Sequence, residues 1–303
     1  MEAQLSVSVA DTPATTLLRL REITLSFGGV TALSEVDLDI KQGEIRGIIG
    51  PNGAGKSSLI NVISGIYRPQ RGIIWFAGQS FNQVPATALA RLGIARTFQN
   101  LALFNGMSVL DNIVTGSVAK VRSSFIEQVL SLPRSKREEA DSRDRAEDII
   151  AFLGLQAVRH ATVRTLPYGL QKRVELARAL AVGPRLLLLD EPMAGMTATE
   201  KWELCRVILE ARDRFDMTIV LIEHDIGVVM ELSHHVAVLD YGRKIADGEP
   251  EEVRANQAVI DAYLGVAHDF DAGALRQTGD TGSAKRHGEA SNSAGARDHE
   301  LLS

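Results

Sequence analysis

Gly50-Pro51-Asn52-Gly53-Ala54-Gly55-Lys56-Ser57 is the stretch that decides the fold. Before it, Glu44 to Ile49 reads as a short, mostly apolar strand; after it, Ser58 to Ile63 has helical spacing. A glycine-rich loop between strand and helix lets backbone N–H groups turn inward on the α- and β-phosphates of a nucleotide. The helix N-terminus adds its partial positive charge. In that arrangement Lys56 reaches the β- and γ-phosphates, and Ser57 sets its hydroxyl on Mg²⁺. Gly50, Pro51, Asn52, Gly53, Ala54, Gly55 and Ser58 complete the cradle. A ligand-free turn would need neither the strand nor the helix, so the segment implies binding of a nucleoside triphosphate.

Upstream, the first sixteen residues are small, polar and aperiodic and read as a flexible leader. Leu18, Leu20, Ile23, Leu25 and Phe27, then Val36, Leu38 and Ile40, alternate as half-buried antiparallel strands do. Gly72 to Gly78 reads as another strand, bounded by glycines. From about residue 100 to 165 the chain turns helical and charge-rich, with Arg134 to Asp148 almost an uninterrupted solvated helix face. After Leu166 helix and strand alternate again. A helix runs through Ala181, a strand covers Leu186–Leu189, a helix Thr199–Arg214 and a strand Thr218–Ile222. Two short strands, Val236–Leu239 and Lys244–Ala246, flank a turn at Asp240-Tyr241-Gly242. Strands alternating with helices predict an α/β fold, a mostly parallel sheet covered on both faces, with the stretch 100–165 inserted into it. Residues 266–303 are rich in small and polar types and are expected to be disordered, since they bury too little surface to offset their ordering entropy.

At 303 residues the chain suffices for one large domain or two modest ones, and 45% hydrophobic with 23% charged residues is a globular balance. The net charge of −5 argues against a nucleic-acid groove, which needs a basic face. The single cysteine, Cys205, excludes an internal disulfide and points to a cytosolic address and an inert core thiol. No apolar run approaches the roughly 18–20 residues of a membrane span. The N-terminus shows neither the basic segment nor the apolar core of a signal peptide. A membrane role is therefore expected only beside other subunits.

A second signature lies at Leu186-Leu187-Leu188-Leu189-Asp190-Glu191-Pro192. Four leucines bury a central strand and bring two carboxylates to its C-terminal edge, where ligands bind in open α/β sheets. Asp190 suits a place on Mg²⁺, directly or through its water; Glu191 is set to accept a proton from the attacking water, or to orient it. The bland alternative is an acidic turn after a core strand, and the upstream phosphate loop weighs against it.

With both signatures in view, the sequence resembles the ATPase subunits of ATP-binding-cassette (ABC) transporters, from about Leu17 to Gly265. The resemblance implies a P-loop NTPase (RecA-like) core, an antiparallel β-subdomain and a helical subdomain inserted at about 100–180. It also assigns further residues. Phe27, in Phe-Gly-Gly, matches the aromatic that stacks on adenine. Gln99, in Thr97-Phe98-Gln99-Asn100, matches the glutamine that touches Mg²⁺ and the water. His224, in Ile222-Glu223-His224-Asp225, matches the switch histidine at the γ-phosphate.

The segment Leu166-Pro167-Tyr168-Gly169-Leu170-Gln171 stands where the family usually has Leu-Ser-Gly-Gly-Gln, which caps the ATP of the opposite subunit. Pro167 replaces the serine and removes one hydroxyl donor; the helix N-terminus and the Gly169 N–H remain for that trans contact. Proline is tolerated in a first helical turn, where its missing N–H would be unpaired anyway. Thr197 stands where the family usually has aspartate, in a loop that crosses the dimer interface.

Tyr168-Gly169, Ala194-Gly195 and the ending Ala262-Tyr263-Leu264-Gly265 look most like the uptake ATPases for branched-chain and other hydrophobic amino acids, whose relatives handle urea and short amides. That likeness implies two integral-membrane permeases, a second ATPase subunit (sibling or self) and an extracytoplasmic solute-binding protein. It also implies a peripheral place on the cytoplasmic face of a prokaryotic membrane. The apolar cluster Leu101, Leu103, Phe104, Met107 and Val109 is the candidate permease contact, with subdomain core the competing reading for at least half of it. Three alternatives stand beside this one: the ATPase of another system such as lipopolysaccharide export, a soluble ABC protein of translation or repair, and a catalytically weak partner cassette.

Overall fold

Two long alternating segments open the computed structural model, which describes residues 16–97, 101–118 and 133–263. β1 (Thr16–Phe27) and β2 (Val30–Lys41) form an antiparallel hairpin, and β3 (Ile45–Ile49) follows. The phosphate loop leads into α1 (Lys56–Ile63), then β4 (Arg71–Phe76), β5 (Gln79–Phe81), the short α2 (Leu89–Leu92) and β6 (Ile94–Arg96). Next come α3 (Val109–Gly116), α4 (Pro133–Phe152) and α5 (Tyr168–Ala181). β7 (Leu186–Asp190), α6 (Ala198–Phe215), β8 (Thr218–Ile222) and α7 (Ile226–Leu232) alternate after them. β9 (His235–Asp240), β10 (Arg243–Gly248) and α8 (Pro250–Arg254) follow, and the described chain ends in a helical stretch at 257–263. Apart from Thr16, the expected leader lies outside the described residues, as do the expected tail 266–303 and Gln99.

The strands sort into two sheets. One is antiparallel, in the order β2-β1-β4-β5. The other has the order β10-β9-β3-β8-β7-β6, parallel throughout except for the β9–β10 hairpin. Every residue of β3, β7 and β8 is buried, which explains why their sequences are apolar runs rather than alternations. Their two faces feed two different cores. Ile45, Ile49, Leu187, Leu189, Ile219 and Leu221 pack with the helices α3 to α7. Ile48, Leu186, Leu188, Val220 and Ile222 pack with α1 and the antiparallel sheet. A strand side chain alternates between faces at each step, so one short run of leucine and isoleucine builds both layers.

α7 lies so close to β3 that a Cβ added to Gly47 would fall 2.4 Å from Val229 Cγ1 and 2.6 Å from Ser233 Oγ. Any larger residue there would push α7, and the loop before it, away from the sheet. The predicted strands and long helices are all present. β6 has three residues and α7 is a seven-residue helix with a mostly buried, apolar middle, too short for periodicity to reveal. Among the described residues no helix is long and apolar enough to cross a membrane.

Cys205 sits on the inner face of α6, 5% exposed, its Sγ 3.9 Å from Met193 Sδ. Burial, and then the Glu231 and Glu223 carboxylates, push its thiol up to about 11. A thiol reagent at pH 8 is therefore expected to spare the folded protein and to titrate the single thiol after denaturation. Rapid labelling of the folded chain would show that α6 is not seated as described.

Candidate active site

The phosphate loop is clamped between the β1–β2 hairpin and the β9–β10 turn. Gly242 N donates to Ala54 O at 3.0 Å, and Ser34 N donates to Gly242 O at 2.8 Å. Gly55 caps α1 in the left-handed region at φ 102, and a Cβ there would lie 2.6 Å from Ala32 O, so only glycine fits. The loop thereby holds its backbone close and bare, as approach to a pyrophosphate requires. Lys56 begins α1, with Nζ donating to Gly50 O at 2.7 Å and Pro51 O at 2.9 Å. Burial pulls its ammonium below the ordinary lysine range, while the carboxylates of Glu191 and Asp190 oppose that. The charge is therefore held inside the loop by carbonyl dipoles, which phosphate oxygens can replace.

The parallel strands deliver the acidic residues to the same edge. Asp190 Oδ2 lies 2.8 Å from Arg96 Nη2, with the two side chains 6% and 10% exposed. Arg96 Nη1 also donates to Asn61 Oδ1 at 2.7 Å and Ser64 Oγ at 2.9 Å, tying β6 to α1. The next residue, Glu191, leaves the strand with φ 51, a left-handed conformation that costs a non-glycine residue ~1–3 kcal/mol. Its N–H donates to Ile222 O at 2.9 Å, and its Oε1 lies 2.8 Å from His224 Nε2. The strain turns the carboxylate out of the sheet and toward the loop.

A cleft of about 320 Å³ results, lined by Ala32, the loop from Asn52 to Ser58, Glu191 and His224. Of the residues singled out in the sequence, the structure brings Asn52, Gly53, Ala54, Gly55, Lys56, Ser57, Ser58, Glu191 and His224 together there. Gly50 and Pro51 enter through the carbonyls that hold Lys56. Asp190 sits behind the lining, against Arg96. Phe27 is also outside the lining, half-exposed, its ring edge-on to Tyr67 at 5.0 Å between centroids. Gln99 lies outside the described residues.

On the signature segment, Pro167 is the N-cap of α5 rather than a first-turn residue; the helix begins at Tyr168. Gly169 is thus in the first turn, and a Cβ on it would come within 2.4 Å of Glu200 Oε1. Thr197 proves to be the N-cap of α6 in a capping box: its Oγ accepts from Glu200 N at 3.3 Å, and Glu200 Oε2 accepts from Thr197 N at 2.9 Å. Of the two departures from the family pattern, Thr197 caps its helix, whereas Pro167 stands at the N-cap of α5 without a side-chain cap. In the apolar cluster, Leu103 and Val109 are core, Leu101 is partly buried, and Phe104, with Arg178 over its ring, and Met107 stand out to solvent.

Comparison with known proteins fits this geometry. The family pattern described as ABC transporter matches residues 33–194, more than half of the chain. The chain belongs to the ABC transporter family. It is therefore an ATP-binding ATPase cassette. A second pattern, described as branched-chain amino acid ATP-binding cassette transporter, matches residues 243–269. The cassette is 36% identical over 251 residues to the high-affinity branched-chain amino acid transport ATP-binding protein BraF of Pseudomonas aeruginosa, covering 83% of this chain and 98% of that one. It is 37% identical to LivG of Escherichia coli K12, a protein of the same description, with the same coverage. Among solved structures, a nucleotide-free ATP-binding cassette from an ABC transporter superposes with a TM-score of 0.71 at 30% identity, covering 82% of this chain and 98% of that chain. The ADP conformation of MJ1267, an ATP-binding cassette of an ABC transporter, gives 0.72 at 30% identity, covering 83% and 100%.

Sequence reasoning missed three residues of this cassette's site. Ala32 lines the cleft from a hairpin far upstream, and no local pattern marks it. Arg96 carries a signal only in hindsight: a lone cation on a short strand beside a buried carboxylate strand. Glu223 was quoted only as the residue before His224, yet it is 5% exposed. Arg96→Met should leave Asp190 as an uncompensated buried carboxylate and cost about 3–5 kcal/mol in urea unfolding at an unchanged m-value. A loss below about 1 kcal/mol would mean that other groups already neutralise Asp190.

Proposed function

We propose that this cassette energises uptake of branched-chain or related amino acids or amides, from the cytoplasmic face of a prokaryotic membrane, through separate permease subunits. The observation that carries the chemistry is Glu191 Oε1 at 2.8 Å from His224 Nε2, at the mouth of the phosphate loop. The solute class rests on the match of residues 243–269 and on what BraF and LivG are described as serving. No side chain of the ATPase need touch the solute, so the permeases and binding protein set its identity.

The loop from Gly50 to Ser58 binds the triphosphate, with Lys56 exchanging its carbonyl partners for β- and γ-phosphate oxygens and Phe27 offering a ring to adenine. Mg²⁺ would suit this donor set, since it keeps several waters and asks for only one or two oxygen side chains beside the phosphates: the Ser57 hydroxyl on the cleft would be a ligand, with Asp190 and Gln99 the further candidates. When bound, the ion neutralises charge on the phosphates. Glu191 accepts the proton, or fixes the orientation, of a water whose oxygen bonds to the γ-phosphorus as the bond to ADP breaks. His224 holds that carboxylate and reaches the γ-phosphate. The Gly169 N–H at the start of α5 serves the nucleotide of a second cassette, sibling or self. We assign residues 17–265 to the ATPase domain, with a helical subdomain at about 100–180, and take the exposed Phe104 and Met107 as the side chains a permease would cover.

Glu191→Gln should bind ATP as the wild type does while turnover falls by ~100-fold or more. Lys56→Ala should lose tight ATP binding, read with a fluorescent nucleotide; unchanged affinity would remove the loop from the site. Purified from native membranes with ATP and Mg²⁺, the Glu191→Gln protein should bring two permeases and a second cassette. Recovery of this chain alone from the soluble fraction would contradict the transport role.

A further inference from the structure

Beside the hydrolytic pair lies a buried carboxylate that the mechanism does not use. Glu223 ends the segment after β8, immediately before His224, and is 5% exposed. Its Oε1 accepts from Met193 N at 2.7 Å, across from the β8 loop to the β7 loop. Its Oε2 accepts from His224 N at 3.3 Å. One side chain therefore bridges the two loops that carry Glu191 and His224.

We propose that Glu223 is a positioning residue for hydrolysis: by joining the Met193 and His224 amides it fixes the Glu191 carboxylate and the His224 imidazole in one geometry. Three observations carry this. Met193 is two residues beyond Glu191 and is held from both ends, its amide by Glu223 and its fully buried side chain by the core, with Sδ against Cys205 Sγ. Glu191 stands at φ 51, a backbone conformation that persists only where the surroundings over-determine it. Strand pairing fixes Glu191 on one side through its N–H to Ile222 O; Ala194 N to Glu191 O, at 3.3 Å, adds a weaker hold on the other. Glu223 pins the chain just beyond that turn.

The carboxylate is also costly where it stands. Burial pushes the Glu223 carboxyl above the usual range, the Met193 and His224 amides pull it back, and the charge of Glu191 pushes it further up. Lys201, whose charge pulls the Glu223 carboxyl back a little, is shared with Asp225, which it meets at 3.1 Å. An apolar residue would avoid that cost and lose the bridge.

The proposal rests on the roles given above to Glu191 and His224, so the test carries its own control. In the full chain, Glu223→Gln, Glu223→Ala, Glu223→Asp and Glu191→Gln are compared for ATPase kcat and KM, for fluorescent-ATP affinity and for Tm. Glu223→Gln keeps an oxygen for Met193 N, and its kcat should stay within about fivefold of wild type. Glu223→Ala loses both acceptors, and kcat should fall by about tenfold to a hundredfold while KM and affinity stay within about twofold. Glu223→Asp is one methylene too short to span both amides and should match the alanine variant, which keeps the test decisive if alanine does not fold. Wild-type kcat in the alanine or aspartate variant, with Glu191→Gln inactive, would overturn the positioning role alone. So would equal losses in the glutamine and alanine variants that track Tm. Wild-type turnover in Glu191→Gln would overturn the hydrolytic reading and this proposal with it.

Discussion

Everything at the site hangs on the in-register parallel pairing of β3, β8 and β7. Ile48 pairs with Ile222, and Asp190 pairs with the same residue from the other side, so the three strands end level. The loops they release, carrying Lys56, Glu191 and His224, therefore emerge side by side. A strand advances about 3.3 Å per residue and changes face at each step. A slip of one residue in β8 would carry His224 about that far from Glu191, more than its present 2.8 Å contact tolerates, and would turn Ile222 into the wrong core. The two cores that clamp the sheet are thus also what sets the Glu191–His224 geometry.

The same edge concentrates charge that would be unfavourable in an apolar interior. Asp190, Glu191 and Glu223 all end buried at less than a tenth exposure, within reach of one another through two adjacent strands. Each is compensated differently. Arg96 meets Asp190 inside the protein, main-chain amides meet Glu223, and the imidazole of His224 meets Glu191. A full ion pair fixes Asp190 in place. The imidazole of His224, half-exposed, meets Glu191 at 2.8 Å, and Glu191 is the carboxylate that lines the cleft. The division leaves the Glu191 carboxylate on the cleft and keeps that of Asp190 behind its lining. Lys56, poised on two carbonyls, supplies the matching positive charge on the opposite wall.

Much of this was legible in the sequence because the strongest signals are local. A glycine-rich loop must be flanked by strand and helix to work, and a four-leucine run ending in two carboxylates can hardly be anything but a buried strand. The long alternation of β1 and β2 and the charged face of α4 were equally readable, since burial on one side leaves a period in the residues. What escaped was short or distant. β6 and α7 are shorter than the window in which a period shows. Arg96 and Glu223 look like ordinary surface charges until a partner 94 residues away for one, and 30 for the other, brings them inside.

The two departures from the family's signature find their reasons at the same level. Serine at an N-cap accepts a backbone hydrogen bond; Pro167 cannot, and the structure shows no side-chain cap on α5. The first-turn amides of α5 therefore keep their donors free of an internal acceptor, on a helix whose N-terminus favours an anion. At α6 the arrangement is reversed. Thr197 and Glu200 cap that helix reciprocally, and the Glu200 side chain reaches so close to Gly169 that no Cβ fits between them. Tyr168 in turn covers Gly195 in the loop before α6, where an added Cβ would lie 3.3 Å from its ring. The starts of α5 and α6 are thus packed as one unit, through a glycine on each side. These two approaches bring the signature segment against the loop after Glu191 within a single chain.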